Sequence, residues 1–362
     1  MRRSPLASPL LRRAAAVGLS AAAVLAPVAA QAAAPSPSPA AVVGSVLDQA
    51  HPYRHGLVPY LSTPGLPVLG NLNNLSYGGG NSGVGVTTGA PKVYLVFWGT
   101  QWGTAGTDSG GNTTLAGDPR GTAPILQKFF KGLGVNNEGW SKVMTQYCEG
   151  VSSGTQTCPS TAPHVGYPTG GALAGVWVDQ RAAAPSQATQ TQLGQEAVDA
   201  AGHFGNTTSS ANRNAQYVVL SPTGTHPDGY NTSTSTWCAW HDWTGDVSVS
   251  SPYGPLAFTN EPYIPDTGSS CGANFVNSGT AGLTDGVTIV EGHEYAETIT
   301  DQFPAGGWTD IQGQENGDKC AWISSGQGAS QNITLSTGSF PVQSTWANDF
   351  NSGQGGCEVT HA

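Results

Sequence analysis

The sequence predicts an α/β or α+β fold with a single central sheet flanked by helices, rich in loops and stabilised by disulfides. Apolar, β-branched segments typical of buried strands alternate with segments of helical periodicity, and this order favours one sheet covered by helices. The 50 Gly and 25 Pro indicate many loops. The six Cys are an even number, as expected for an exported chain with up to three disulfides.

The individual elements follow from local patterns. The first strand is KVYLVFWG at 92–99, a short run of apolar, β-branched and aromatic residues. An amphipathic helix is indicated further on by the spacing of Trp140, Val143, Met144 and Tyr147. Further strands are expected at 174–179, 216–222 and 235–243, and further helices at 123–133, 187–204 and 285–300.

Residues 1–32 have the three parts of a secretory signal peptide. Four Arg precede an Ala-rich apolar run from Ala14 to about Val28, and a small-residue cleavage site ends at Ala32. A retained membrane anchor is the weaker alternative, because the run is short and Pro27 interrupts it. We therefore expect a secreted, extracellular protein with no membrane span after cleavage.

The remaining chain is expected to divide into an arm and one domain. Residues 33–90 contain few periodic segments and are predicted to be a flexible linker and N-terminal arm, which could cover the domain as a propeptide. Residues 91–362 are predicted to form a single, monomeric domain. Loss of the leader removes four Arg and no acid, so the net charge of −10 becomes −14. Such an acidic chain is a poor binder of nucleic acid.

The cysteines suggest a pairing in sequence order. That order gives Cys148–Cys158, Cys238–Cys271 and Cys320–Cys357. Because six Cys allow fifteen pairings, the connectivity stays open at this level. No C-x-x-C spacing indicates a thiolate metal site.

The segment IVEGHEYAETITD at 289–301 contains the strongest chemical pattern. His293 and Glu297 are four residues apart, so they lie on one face of the predicted helix and could hold one cation. This is the H-E-x-x-H arrangement of zinc peptidases with Glu in place of the second His. In that chemistry Glu294 would be the general base that takes a proton from the attacking water.

Two later acids are candidates for a third ligand. Glu315 lies 18 residues after Glu297, and Asp318 follows three residues later. If the chain forms a helical turn there, both side chains share a face. One would bind the metal, which we expect to be Glu315, and the other would orient His293 through its second ring nitrogen.

His241 is a further candidate, in the sequence CAWHDW. It could be a fourth metal ligand, or it could donate the hydrogen bond that stabilises an oxyanion. Its alternative interpretation is a half-buried His packed among aromatic residues. We expect a catalytic role beside Glu294.

A plain ion pair between His293 and Glu297 on a solvated helix face is the alternative to a metal site. Two features favour the cation: Glu291 and Glu294 crowd the same turn, and the flanking helix is apolar. Zn²⁺ is the expected ion, although a site rich in carboxylates also suits Ca²⁺ or Mn²⁺.

The run GHEYAETITDQFPAGGWTDIQGQENGDKCAWI at 292–323 resembles the phosphate-induced protein 1 (EXORDIUM-like) family. KVYLVFWGTQW, QYVVLSP with CAWH, and FPVQSTW are similar to other parts of that family in the same order, so the resemblance covers about 91–357. It implies a secreted or wall-associated protein, here a bacterial member, with no assigned reaction. The motif order also resembles gluzincin-type zinc peptidases, which carry His where this chain has Glu297, and it implies a zincin-like active-site helix.

Two functions follow from these patterns. The first is a secreted metal-dependent hydrolase, a zinc metallopeptidase that cleaves a peptide or protein substrate. The second is a non-catalytic extracellular protein that binds a cell-wall polymer or a partner and holds a structural Ca²⁺. Glu294 discriminates between them, since a structural site needs no unligated acid beside the metal.

Overall fold

The computed structural model describes residues 57–61 and 74–362. The expected signal peptide lies outside these residues, as does most of the expected linker and arm. No helix within the described part is long and apolar enough to cross a membrane.

The described residues form thirteen strands and six α-helices. The strands are β1 (Ser76–Tyr77), β2 (Lys92–Trp98), β3 (Ala105–Thr107), β4 (Thr113–Leu115), β5 (Leu173–Asp179), β6 (Ala215–Leu220), β7 (Trp240–Trp243), β8 (Ala257–Glu261), β9 (Trp308–Thr309), β10 (Gln331–Leu335), β11 (Gly338–Val342), β12 (Thr345–Ala347) and β13 (Gly356–Glu358). The helices are α1 (Thr122–Gly132), α2 (Gln190–His203), α3 (Ser209–Asn212), α4 (Gly279–Gly282), α5 (Asp285–Thr300) and α6 (Phe350–Gly353). Short 3₁₀ helices occur at Thr100–Trp102, Ser141–Gln146, Pro227–Gly229, Ile264–Cys271 and Asp318–Cys320.

The central sheet has five strands in the order β5-β2-β6-β8-β7. The first four are parallel, and β7 runs antiparallel to β8 at the edge. Leu95 and Phe97 of β2 pack on one face, with α1 and α5, whereas Tyr94 and Val96 pack on the other, with α2. Burial on both faces explains why β2 reads as an unbroken apolar run. The predicted central sheet with flanking helices is confirmed.

Most predicted elements occur within a few residues of their expected bounds, with one change of type. The segment with Trp140, Val143 and Met144 is buried as expected, but it forms the 3₁₀ helix Ser141–Gln146 instead of an α-helix. A 3₁₀ helix also places residues three apart on one face. The chain becomes extended at Tyr147, directly before the disulfide of Cys148, which leaves room only for a short helix.

The packed fold begins before Pro91. Residues 57–61 pair with the chain just ahead of β7, through hydrogen bonds between Val58 and both Cys238 and Ala239. Strand β1 pairs with β9, and Val86 is fully buried. The described parts of the expected arm are therefore integrated into the domain. Residues 57–61 contain a single bridge, at Pro59, and β1 has two residues, so these segments are too short to show a period in the sequence.

The three disulfides join Cys148 to Cys158, Cys238 to Cys271, and Cys320 to Cys357. The pairing in sequence order is confirmed. The second bridge lies just before β7, and the third follows the loop after β9. Both of these segments supply residues to the candidate site.

Candidate metal centre

Helix α5 carries three of the site residues into the interior. All sixteen of its residues are buried, and His293, Glu294 and Glu297 are each 0 % exposed. Its N-terminus is held by Asp285, whose carboxylate accepts the backbone N–H groups of Val276 and Asn277. The interpretation of His293 and Glu297 as an ion pair on a solvated helix face is therefore excluded.

Strand β7 and the loop after β9 supply the other predicted residues. His241 lies on the edge strand β7 and is completely buried. Glu315 and Asp318 lie on the loop, where Asp318 opens the 3₁₀ helix Asp318–Cys320. The sheet, the buried helix and the loop thus meet at one place, and they bring all six predicted site residues together.

Glu297 lies between the two imidazole rings. Its Oε1 is 3.0 Å from Nε2 of His293, and its Oε2 is 3.6 Å from Nε2 of His241. Oε1 also accepts the backbone N–H of Asp318 at 2.8 Å. Each carboxylate oxygen of Glu297 is thus directed toward a different histidine.

Each of the two loop acids lies beside a different histidine. Oδ1 of Asp318 lies 3.6 Å from Nε2 of His293, whereas Oε2 of Glu315 lies 3.2 Å from Nε2 of His241. The backbone N–H of Glu315 donates to Oδ2 of Asp318, which fixes the turn between them. Glu315, the expected third ligand of the metal, therefore lies beside His241, and Asp318 lies closer to His293.

Gln343 is a site residue that the sequence patterns did not reveal. Its Oε1 is 3.1 Å from Nδ1 of His293, and its Nε2 donates to the carbonyl of Gly317. Gln343 occupies the orienting position at the second ring nitrogen that the sequence interpretation gave to Glu315 or Asp318. It follows β11, 50 residues from His293, and no local pattern links the two.

Gly317 lets the loop lie directly on the site. A Cβ atom at this position would be 2.9 Å from Nδ1 of His293 and 2.9 Å from Oε1 of Glu297. Real Cβ atoms almost never approach so closely, so the loop backbone fits only because residue 317 has no side chain. Gly317 therefore allows the loop to pack directly against His293 and Glu297.

Two overlapping groups of side chains could hold a metal ion. One group is His293, Glu297 and Asp318, and the other is His241, Glu294 and Glu297. Within each group, the possible ligand atoms all lie within 4.8 Å of one another. Imidazole nitrogen and carboxylate oxygen suit Zn²⁺, and they also occur together in sites for other divalent ions.

Several carboxyl oxygens of the site make no hydrogen bond in the described part of the chain. Both oxygens of Glu294, Oε2 of Glu297 and Oε1 of Glu315 are buried without a hydrogen bond. A buried polar group left without a partner costs about 1–3 kcal/mol, and a charged one costs more. Burial is accordingly the main cause that raises the pKa of Glu294 and of Glu315 well above the ordinary range, with the charge of Glu297 next.

The pKa values of His293 and Asp318 are also displaced. Burial opposes the charged form of His293, but the charge of Glu297 and a hydrogen bond to it prevail and raise the imidazole pKa. Burial, with the charge of Glu297, raises the pKa of Asp318 to about 8. In the absence of a cation, the site therefore retains protons at neutral pH.

A second pair of buried acids lies next to the site. Glu291 is one turn before Glu294 on α5, and Glu261 ends β8. Burial raises the pKa of both well above the ordinary range, and the charge of Glu291 contributes to the shift of Glu261. Sequence reasoning noted Glu291 only as a crowding charge and missed Glu261, which comes from a strand with no charge pattern.

Comparisons with known proteins returned no match. No family model matches the chain. No curated protein and no solved structure matches it.

Proposed function

We propose that the chain is a secreted metal-dependent hydrolase of the zinc metallopeptidase type, with its cation on His293, Glu297 and Asp318. The observation that supports this most strongly is Glu294, which lies near Glu297. Both of its carboxyl oxygens are fully buried and make no hydrogen bond among the described residues. A protein that folds around such an acid without using it would lose stability.

The donor set fits a divalent cation. One imidazole nitrogen and two carboxylate oxygens can approach the same point, since the ligand atoms lie within 4.8 Å of one another. Gln343 accepts from Nδ1 of His293 and so directs Nε2 toward that point. Three protein ligands leave a position for water, which is the pattern of catalytic zinc sites.

The chemistry would divide among the side chains as follows. A bound cation supplies Lewis acidity and lowers the pKa of a water molecule. Glu294 would take a proton from the attacking water and pass it to the leaving amine of a peptide. His241 was expected to stabilise an oxyanion, but its Nε2 is directed toward Glu315 and Glu297. We therefore do not assign the oxyanion role to His241 in this proposal.

Secretion and family membership belong to the same proposal. Three disulfides are consistent with an extracellular protein, because such bonds persist in oxidising compartments. Placement in the phosphate-induced protein 1 family is supported by residues 292–323, which contain the helix motif and both loop acids.

The second candidate is a non-catalytic extracellular protein with a structural cation, such as Ca²⁺, that binds a cell-wall polymer. Burial favours this candidate. Both histidines, Glu294 and Glu297 are 0 % exposed, and Asp318, the most exposed of the site residues, shows 9 % of its side chain to solvent. A structural site is closed by its protein ligands, whereas a hydrolase must open to admit its substrate.

The test combines metal content with activity. The mature protein is purified without chelators or affinity metal, its metals are measured by mass spectrometry, and it is incubated with a peptide library. Glu294→Gln keeps the shape of the side chain and removes the base. Glu291→Gln is the matched control, since it alters another fully buried acid on the same helix.

We expect bound zinc, cleavage of peptides by the wild type and by Glu291→Gln, and loss of cleavage by at least 100-fold in Glu294→Gln, the scale of general-base catalysis. Bound calcium without cleavage would select the structural alternative. A metal-free protein would overturn both interpretations.

A further inference from the structure

We propose that the centre holds two divalent cations, bridged by the carboxylate of Glu297. The first cation lies between His293 and Asp318, and the second lies between His241 and Glu294. This inference rests on the metal-binding part of the proposed function and not on hydrolysis.

The position of Glu297 is the first argument. Its Oε1 faces Nε2 of His293 at 3.0 Å, and its Oε2 faces Nε2 of His241 at 3.6 Å. A carboxylate that serves one cation does not need its second oxygen directed at another imidazole. A carboxylate that bridges two cations directs one oxygen toward each of two groups of ligands. In known two-metal sites the ions are about 3.5–4 Å apart.

The completeness of both groups is the second argument. Each contains one imidazole and one carboxylate besides Glu297, and in each the ligand atoms lie within 4.8 Å of one another. Glu315 adds a further carboxylate on the His241 side, with its Oε2 3.2 Å from Nε2 of that histidine. Each group therefore offers three possible ligands to a cation of its own.

Charge balance is the third argument. Glu294, Glu297, Glu315 and Asp318 together carry about −4 when ionised, and neutral imidazoles add nothing. With one divalent cation, either two of these acids keep their protons or about −2 remains in a region where Asp318, the most exposed of the four, shows only 9 % of its side chain to solvent. Two divalent cations neutralise the four carboxylates.

The buried oxygens of Glu294 point independently to a ligand on the His241 side. Both lack a hydrogen bond in the described part of the chain, although the side chain is 0 % exposed. One oxygen of Glu294 would bind the second cation. The other would remain unligated, and only this oxygen could act as the base in the proposed hydrolysis.

The experiment counts cations and measures the distance between them. The mature chain is titrated with Mn²⁺ after dialysis, and bound Mn²⁺ is followed by electron paramagnetic resonance. A third group, Asp349, Glu358 and His361, lies near the surface and could bind an additional ion. His361→Ala is therefore introduced in every sample, which removes that group without touching the centre.

We expect two equivalents of tightly bound Mn²⁺ and a spectrum of two magnetically coupled ions when both are present. Asp318→Asn and Glu294→Gln should each reduce the count from two to one and abolish the coupling, because they belong to different groups. Glu291→Gln should leave the count at two. Thermal unfolding of each variant verifies that it is folded.

A single equivalent in the wild-type chain, or two equivalents without magnetic coupling, would overturn the bridged pair. The coupling is measured on the wild-type centre, so the proposal remains testable if a variant does not fold. Two coupled ions without peptide cleavage would support the pair and reject the hydrolase. Cleavage with one bound ion would do the reverse.

Discussion

Nε2 of His293 lies 3.0 Å from Oε1 of Glu297, one turn along a helix whose every residue is buried. On a surface helix this spacing would give an ion pair worth a few tenths of a kcal/mol. Inside the protein the same contact is surrounded by further carboxyl groups, including two oxygens of Glu294 that make no hydrogen bond in the described residues. Because the pair is buried, it is not a surface interaction but part of a group of side chains that could hold a metal ion.

Substitution Gly317→Ala should weaken cation binding while preserving the fold. The new Cβ would lie 2.9 Å from both Nδ1 of His293 and Oε1 of Glu297, so the loop must move away from the helix. The backbone φ of −77° at Gly317 is accessible to Ala, and no other strain is introduced. We expect zinc affinity to fall about 10-fold or more, measured by competition with a coloured chelator.

Gly292→Ala is the matched control for this substitution. Its Cβ would meet its nearest neighbours, in Phe129 and Trp140, at an ordinary 3.6 Å, and Ala favours a helix by about 1 kcal/mol over Gly. Zinc affinity should be unchanged. Equal affinity in both variants would show that the loop does not press on the ligands.

Substitution Gln343→Leu should reduce zinc affinity by about 10- to 100-fold, the range for loss of a partner that orients a ligand. The amide oxygen of Gln343 lies 3.1 Å from Nδ1 of His293 and fixes the direction in which Nε2 points. Calorimetric titration with Zn²⁺ gives the affinity. Gln343→Glu keeps an acceptor and should retain more affinity than Leu, whereas equal losses would show that Gln343 acts only through packing.

Substitution Glu196→Gln should flatten the dependence of stability on pH, independently of the metal centre. Burial is the main cause that raises the pKa of Glu196 to about 9, followed by the charge of Asp179. Folded Glu196 keeps its proton up to about pH 9, while the unfolded chain loses it near 4.5. Folding therefore takes up a proton in this range, and stability falls as the pH rises through it.

The slope from one such proton approaches about 1.4 kcal/mol per pH unit. Urea unfolding at pH 5, 7 and 9 would measure this slope. The free energy of unfolding of Glu196→Gln should differ more and more from that of the wild type as the pH rises. Parallel curves would mean that Glu196 is ionised in the folded protein. Any contribution of other buried acids cancels in the comparison.

Replacement of Cys320 and Cys357 by Ser should weaken the metal centre as well as the fold. Their disulfide fastens the loop directly after Asp318, and a native bridge contributes about 2–4 kcal/mol to stability. We expect a lower melting temperature and lower zinc affinity. In the control, replacement of Cys148 and Cys158 by Ser, melting should fall without a matching loss of affinity; a loss in both would indicate a general effect of unfolding.

The sequence alone determined the features that depend on neighbours in the chain. The placement of His293 and Glu297 on one helix face follows from the helical period of 3.6 residues. The strand β2 follows from its short run of apolar, β-branched and aromatic residues. The disulfides join cysteines that are 10, 33 and 37 residues apart, and pairing in sequence order proved correct.

The tertiary structure decided which distant residues meet at the centre. Glu315 lies beside His241, 74 residues away, and Gln343 contacts His293 across 50 residues. Such contacts depend on the strand order, which places β7 at the sheet edge, and on the path of the loop around Gly317. Helix geometry fixes a contact four residues apart wherever the helix lies, but a contact between separate elements exists only once the whole domain has packed.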